Sequence, residues 1–373
     1  MKDPVLSTQT SSPIRVAIAG QGRSGYNIHA RCIRSMPDRF QVVAAADQLP
    51  ERQREAADEF GARACDHWQA LIHDGDYDLF VNALPSNLHV QATIAALNAG
   101  KHVLCEKPMA ATVAELDRMT AAARANGVRL FPFQNNRLQP FFDRLQQVLA
   151  SGVLGELVYI RSCWGRFARR WDWQTWQDNL GGSLFNTGPH AIDQALALIG
   201  WETKLGVRCH MSCHNAFGAD AEDHAAITLV PKAGGPQVDI VISAHLAYAQ
   251  GDMYNIGGTH GGLTGGATEL HWRYFDPDAA PTHDMWQWSV DRKYTREELP
   301  WQEDSWRLDD QQQREAVGYT LKSFPSGPER IYDNIHAILR GEDVAQVVTL
   351  DQVRPQIAVL EECHRQAPLP TRR

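Results

Sequence analysis

The sequence predicts an α/β chain in two parts, a doubly wound parallel sheet followed by an α+β domain with a large, mainly antiparallel sheet. Three observations predict it. Short apolar strand patterns alternate with helical ones as far as residues 128–133, and a glycine motif joins the first such pair. Beyond Asn136 longer, two-faced strand patterns take over. The boundary is therefore read as residues 1–136 and 137–373. A chain of 373 residues is too long for one compact α/β domain and comfortable for two.

Taken in order, Ile14, Val16 and Ile18 alternate with Arg15, Ala17 and Ala19, the pattern of a short buried strand. Gly20, Gly22 and Gly25 follow at G-x-G-x-x-G spacing, with Gln21, Arg23 and Ser24 between them, ahead of a helix over 26–35. This is the Rossmann fingerprint: a sharp turn, a close backbone approach for a pyrophosphate, and tight helix–strand packing. The phosphates would lie against the free N–H groups of the helix start. A second strand over 40–46 delivers Asp47, 22 residues beyond Gly25, where a carboxylate holds the adenosine ribose and repels a 2′-phosphate. NAD is favoured. Arg52, one turn away, leaves room for NADP, and the plain alternative for Asp47 is a turn or cap residue before Pro50.

A helix over 51–60 stops at Gly61, and a strand over 77–83 ends in Leu84, Pro85, Ser86 and Asn87. A helix over 88–98 precedes a strand over 101–105, which runs into Glu106, Lys107 and Pro108. Thr112 and Glu115 have capping-box spacing for a helix to Ala125, and a strand over 128–133 closes the domain. The second domain reads as a helix over 138–149, a strand over 156–167, a Trp-rich loop and a glycine-initiated helix over 183–199. Strands follow over 206–213, 224–230, 238–245 and 268–275, with the glycine-dense 257–266 read as a tight or mobile loop. Two helices close the chain. One starts at Ser326 with a stripe of Ile331, Ile335, Ile338 and Leu339, and one covers 350–364, with Pro355 marking a kink or a later start.

Composition narrows the function. A formal charge of −8 and a pI near 6.0, with no Lys/Arg block, speak against nucleic acid. Seven cysteines without a C-x-x-C pair fit reduced thiols and a cytoplasmic location. The first thirteen residues read as a frayed polar tail, and no apolar run has membrane-spanning length. Cys209, His210, Cys213 and His214 suggest zinc, but on a strand the histidines face away from the cysteines, so no metal is expected.

The run from Pro85 through residues 100–108 (Gly-Lys-His-Val-Leu-Cys-Glu-Lys-Pro) resembles the Gfo/Idh/MocA oxidoreductases, named for glucose–fructose oxidoreductase and inositol dehydrogenase. Three further segments agree: the glycine motif, Arg137-x-x-Pro140 leading to residues 152–155, and residues 181–184 leading to Gly188, Pro189, His190 and Asp193. The resemblance implies an NAD(P)-dependent dehydrogenase or reductase acting on a hydroxyl of a sugar, cyclitol or related polyol. It implies that Glu106 faces the nicotinamide ribose and that the Lys107–Pro108 peptide is cis. The cofactor set is then Gly20, Gly22, Arg23, Ser24, Gly25, Asp47, Leu84, Asn87 and Glu106.

Oxidising a hydroxyl needs a polariser for the developing alkoxide and a base for the proton. Lys107, at the carboxyl end of a parallel strand, suits the first role, and a solvated surface lysine is its plain alternative. His190 is the candidate base, since imidazole titrates nearest neutrality. On a helix Asn186, His190 and Asp193 share one stripe, although Pro189 belongs in a first turn and would leave Asn186 just outside. The family usually has an aspartate where Asn186 stands, and an amide orients a histidine without stabilising its charge. Arg170, Trp171 and Trp173, from a run that includes Trp164, Arg166, Arg169, Asp172 and Trp176, are expected to join Lys107, Asn186 and His190 on the substrate. The alternative for these tryptophans is an oligomer interface or core, and Trp286, Trp288, Trp301 and Trp306 are read as subunit contact. A homodimer or homotetramer is expected. Two other functions stay open: glycoside processing through transient oxidation with bound NAD, and a sugar- or nucleotide-sensing regulator without turnover.

Overall fold

The computed structural model describes residues 12–214, 216, 218–248, 252–283, 292, 297–308 and 327–371. They fall into two compact units, Met1–Phe133 with Pro328–Arg354 and Gln134–Gly327 with Pro355–Arg373. The chain therefore passes between the units three times, where the sequence pattern marks one boundary.

In the first unit six strands form a parallel sheet in the order β3-β2-β1-β4-β5-β6. They are β1 (Ile14–Ala19), β2 (Phe40–Ala46), β3 (Arg63–Cys65), β4 (Leu79–Asn82), β5 (His102–Cys105) and β6 (Leu130–Pro132). Val16, Ile18, Leu79, Phe80, Val81, Val103 and Leu104 have no exposure, as expected of strands covered on both faces. The strand order reverses between β1 and β4, and open α/β sheets bind ligands beyond the carboxyl ends of strands at such a point.

The helices are α1 (Arg31–Arg34), α2 (Pro50–Phe60), α3 (Trp68–Asp74), α4 (His89–Asn98) and α5 (Val113–Ala125). The predicted capping box is present at α5: Thr112 accepts from the Glu115 N–H, and Glu115 accepts from the Thr112 N–H. The predicted helix over 26–35 is corrected, because its first part, Gly25–Ala30, is π-wound. Residues 63–65 and 68–74, for which the pattern predicts no element, form β3 and α3, which are too short to display a period. Later in the chain α8 (Gly327–Leu339) buries Ile331, Tyr332 and Ile335. Ser326, its predicted start, lies outside the described residues.

The second unit holds α6 (Pro140–Ala150), β7 (Leu157–Gly165), α7 (Ser183–Ile199) and seven further strands. These are β8 (Leu205–Ser212), β9 (His224–Pro231), β10 (Gln237–Ser243), β11 (Tyr254–Gly258), β12 (Gly261–Gly265), β13 (Glu269–Tyr274) and β14 (Gln302–Arg307). Their order is β14-β13-β12-β11-β7-β10-β9-β8, with only the β7–β10 pair parallel. Ile160, Ile227, Leu229, Ile240, Ile242, Ile256 and Leu270 point to the buried face. Tyr159, Arg161, Val230, Asn255, His271 and Arg273 alternate onto the other face and are exposed.

Two corrections apply here. Residues 257–266, expected to be a loop, form most of the β11–β12 hairpin. At Gly257 a Cβ would lie 2.3 Å from the Tyr159 ring that covers it, so a larger residue must displace that exposed ring. The last helix, α9 (Leu350–Gln366), starts at Leu350 as read and contains Pro355, so only the alternative of a later start at Pro355 is corrected.

Candidate functional site

The three motif glycines do different work. A Cβ on Gly20, at φ +90°, would lie 2.5 Å from the Ala83 carbonyl oxygen, and one on Gly25 would lie 1.8 Å from that of Gly20. These two let the turn fold onto itself. A Cβ on Gly22 would find nothing nearer than Arg52 Nη1 at 3.9 Å, so this glycine leaves backbone open for a ligand. Beside it the Gln21 side chain is buried, and neither polar atom of its amide has a partner among the described residues.

Asp47 fastens the turn to the end of β2. Its carboxylate accepts from the N–H of Gln21 at 2.8 Å and of Leu49 at 3.0 Å, and pairs with Arg52 at 3.2 Å. Of the plain alternatives for Asp47 the turn residue therefore holds, through the Leu49 N–H, while the cap of α2 is Leu49, and Arg52 sits beside both Asp47 and Gly22. Ser24 precedes the π-turn without a side-chain cap bond. The open glycine, the unpartnered buried amide and the carboxylate at a strand end fit a dinucleotide.

Two further turns lie at the ends of β4 and β5. His89, buried at the start of α4, has Nε2 2.9 Å from the Leu84 carbonyl oxygen and Nδ1 2.7 Å from that of Pro108. One imidazole thus lies between the 84–87 turn, with Asn87, and the Glu106-Lys107-Pro108 turn, with one N–H to donate to either carbonyl. Burial pushes the ring below its ordinary pKa, against the pull of the Pro108 carbonyl. The Lys107–Pro108 peptide is cis. Lys107 is half-buried. Glu106 is buried, with Oε2 accepting from the Lys107 N–H at 3.1 Å and Oε1 3.3 Å from His29 Nε2. Burial pushes this carboxyl up, but the hydrogen bond from His29 and the charges of His29, Lys107 and His89 hold it at about 2.

In the second unit the Gly181–Gly182 pair builds the start of α7. A Cβ on Gly181 would meet the Gln174 carbonyl oxygen at 2.3 Å, and one on Gly182, at φ +100°, would meet the Glu222 carboxylate at 2.3 Å. That carboxylate accepts from the Leu184 N–H at 2.8 Å, capping the first turn. Burial pushes Glu222 up to about 7, with the Leu184 N–H pulling the other way.

Asn186 lies inside the first turn, its N–H bonded to Gly182 O at 3.0 Å, and His190 follows one turn later. Pro189 is accepted inside the helix, so the helix read over 183–199 includes Asn186 and only the alternative that left Asn186 just outside is corrected. The expected three-residue stripe divides. Asn186 and His190 are half-buried, whereas Asp193 is buried in a fork with Arg137, at 2.8 and 2.5 Å, whose guanidinium lies 4.2 Å from the Trp201 ring. Asp193 anchors the helix.

The Trp-rich loop also divides. Trp164 is half-buried on β7 and bonds Ser162 Oγ, while Trp171, Trp173 and Trp176 are exposed. Arg170 pairs with Asp172 at 2.6 Å, and Arg169 covers Trp171 at 4.9 Å. Trp301 packs on Phe275 and under Arg273. Trp286 and Trp288 lie outside the described residues. Sequence reasoning gives no role to His29, His89 or Glu222. Lone histidines on apolar helix faces, and an acidic pair at the start of a buried strand, are the signals available for them.

Residues 14–134 match the oxidoreductase family, NAD-binding Rossmann fold, and residues 142–264 match the GFO/IDH/MocA C-terminal domain. An uncharacterised oxidoreductase of Schizosaccharomyces pombe is 30% identical over 67% of this chain and 69% of its own length. The scyllo-inositol 2-dehydrogenase (NADP(+)) of Bacillus subtilis is 27% identical over 66% of each chain. The chain thus spans about two thirds of the length of these relatives. Among solved structures, the WlbA dehydrogenase of Bordetella pertussis, in complex with NADH and UDP-GlcNAcA, superposes with a TM-score of 0.74 at 24% identity. That match covers 95% of this chain and 97% of the other. No helix among the described residues is long and apolar enough to cross a membrane.

Proposed function

Because the chain belongs to the GFO/IDH/MocA family of NAD-binding oxidoreductases, we propose that it transfers a hydride between a nicotinamide dinucleotide and a secondary hydroxyl or ketone of a sugar, cyclitol or related polyol. The observation that carries the reading is the glycine turn, open above Gly22 and flanked by the unpartnered Gln21 amide. The dinucleotide supplies the hydride acceptor when bound. To Lys107 we assign polarisation of the reacting oxygen, and to His190, oriented by Asn186, transfer of the hydroxyl proton. Glu106, Leu84 and Asn87 are assigned to the cofactor, and Arg170, Trp171 and Trp173 to substrate. Asp47 favours NAD, while Arg52 and the NADP-linked inositol relative keep NADP in the test. A polyol class is supported by that relative's named reaction.

The test is a panel of hexoses, inositols, their acids and simple glycosides, each assayed with NAD and with NADP. Reduction of NAD by at least one polyol is expected. No turnover with any of them, together with no NADH binding, overturns the reading. Net NADH formation separates a dehydrogenase from a glycoside-processing enzyme that recycles its cofactor. The exposed face of the eight-stranded sheet, with Tyr159 and Val230, supports a homodimer or homotetramer, which a mass measurement in solution checks.

A further inference from the structure

Behind the glycine turn a buried polar chain runs from Tyr332 through His29 to Glu106, and the proposed reaction uses neither of its first two members. His29 has no exposure and lies in the π-wound turn Gly25–Ala30, a helix irregularity that often accompanies functional positions. Its Nδ1 is 2.9 Å from the Tyr332 hydroxyl and its Nε2 is 3.3 Å from Glu106 Oε1. Phe133 lies across the imidazole at 4.4 Å, and Phe40 meets the Tyr332 ring edge-on at 5.2 Å, so both rings are held by packing.

The donors and acceptors match without water. In the tautomer that carries its proton on Nε2, the ring donates to the carboxylate and Nδ1 accepts from the phenol. With its other oxygen on the Lys107 N–H, Glu106 has both oxygens aimed. The titratable groups facing Glu106 are His29 from the π-turn, His89 from α4, Tyr332 from α8, and its chain neighbours Cys105 and Lys107.

We propose that His29, steadied by Tyr332 of α8, is a positioning residue that keeps Glu106 an aimed carboxylate for the ribose hydroxyls of a bound nicotinamide dinucleotide. Only the ribose part rests on the functional reading; the hold on Glu106 does not. A helix 303 residues away in sequence thereby serves the nucleotide-binding end of the sheet.

The experiment follows the Glu106 carboxyl by carbon-13 NMR, assigned by loss of its signal in Glu106→Gln, through an acid titration of four full-length proteins. These are wild type, His29→Leu, His29→Gln and Tyr332→Phe. Leucine fills the space without a donor, glutamine returns an amide N–H, and Tyr332→Phe removes one hydroxyl and guards against loss of the fold. His29→Leu is expected to raise the titration midpoint by about two units, His29→Gln to restore most of it, and Tyr332→Phe to raise it by about half a unit. Fluorescence titration with NADH is the second readout. His29→Leu is expected to weaken affinity several-fold at pH 5.5 and pH 8 alike, because a carboxyl whose midpoint has risen about two units from about 2 is ionised at both and has lost only its aim. A midpoint unmoved in both His29→Leu and Tyr332→Phe overturns the inference whatever NADH does. A wild type that binds no NADH overturns the dinucleotide reading, and the carboxyl titration still decides the role of His29.

Discussion

Glu106 in the first unit and Glu222 in the second are both buried carboxyls, 6% and 1% exposed, and each sits at an element terminus beside proposed catalytic residues. Glu106, beyond β5, is held at about 2 once an imidazole, an ammonium and a backbone N–H face it. Glu222, against the first turn of α7, has backbone N–H partners and the like charge of Asp223, and rises to about 7. Burial alone drives an acid towards neutrality; at Glu106 the hydrogen bond from His29 and the facing positive groups reverse it. The first terminus is thus built to carry charge beside Lys107. The second holds a helix start in place through backbone N–H groups.

The largest effect expected from this contrast is at Lys107. Lys107→Ala removes the cation next to Glu106, and kcat should fall about 10²- to 10³-fold, with NADH affinity within a few-fold of wild type. Steady-state rates and fluorescence titration separate the two. Unchanged turnover would return Lys107 to a solvated surface role, whereas a measurable loss ends the sensor reading.

The two acids should also divide the pH dependence of stability. Glu106 is depressed from 4.5 to about 2, so its contribution is present above pH 4.5 and lost as pH falls towards 2, on the order of 3 kcal/mol. Glu222 is raised from 4.5 to about 7, so its contribution is present below pH 4.5 and lost as pH rises through 7, again on the order of 3 kcal/mol. Urea unfolding at pH 3, 5 and 8 is the check. Glu106→Gln should remove the acid limb, and Glu222→Gln the limb between 4.5 and 7 while keeping an acceptor for Leu184. If Glu222→Gln unfolds more readily at pH 8 than wild type, the neutral-acid account of this terminus is wrong.

A smaller effect is expected at the glycine that makes room for Glu222. Gly182→Ala combines a positive φ with a methyl 2.3 Å from the carboxylate, and should cost about 2 kcal/mol. Gly61→Ala, at φ +61° with open space, carries the backbone penalty alone, about 1 kcal/mol. Equal midpoints in urea for the two variants would show that the carboxylate moves aside freely.

The same contrast explains what the sequence discloses. The glycine turn, the capping box of α5 and the Glu106-Lys107-Pro108 turn are local patterns, each closed within a few residues, and they read directly. The partners that set each carboxylate are remote. Tyr332 reaches His29 across 303 positions, and Glu222 reaches Leu184 across 38. No period or spacing encodes those pairings. Short or glycine-rich strands also escape, because three residues in β3, or Gly257 beneath Tyr159 with Gly258 against Leu154, show no alternation to count. Asp193 shows the converse error. Its helical spacing from His190 is right, but the spacing cannot tell that Arg137 claims it.

The smallest and most specific test lies on α7, where Asn186 stands in place of the aspartate usual in the resembling family. Asn186 and His190 are one turn apart and both half-buried, so a charge at position 186 is partly screened by solvent. Asn186→Asp adds a carboxylate that favours the imidazolium, and a first-turn acid is itself tolerated by the helix dipole. The proposed base must then be neutralised at higher pH. The acid limb of kcat/KM should move up by at most about one unit, with the maximum within about threefold of wild type. An alkaline limb that moves up in place of the acid limb would mean that His190 is used as the imidazolium, reversing the assumed direction of proton transfer. Superimposable profiles would leave the amide with an orienting role only, and would extend to His190 the pattern of Glu222: groups at this helix start are held by geometry, not by charge.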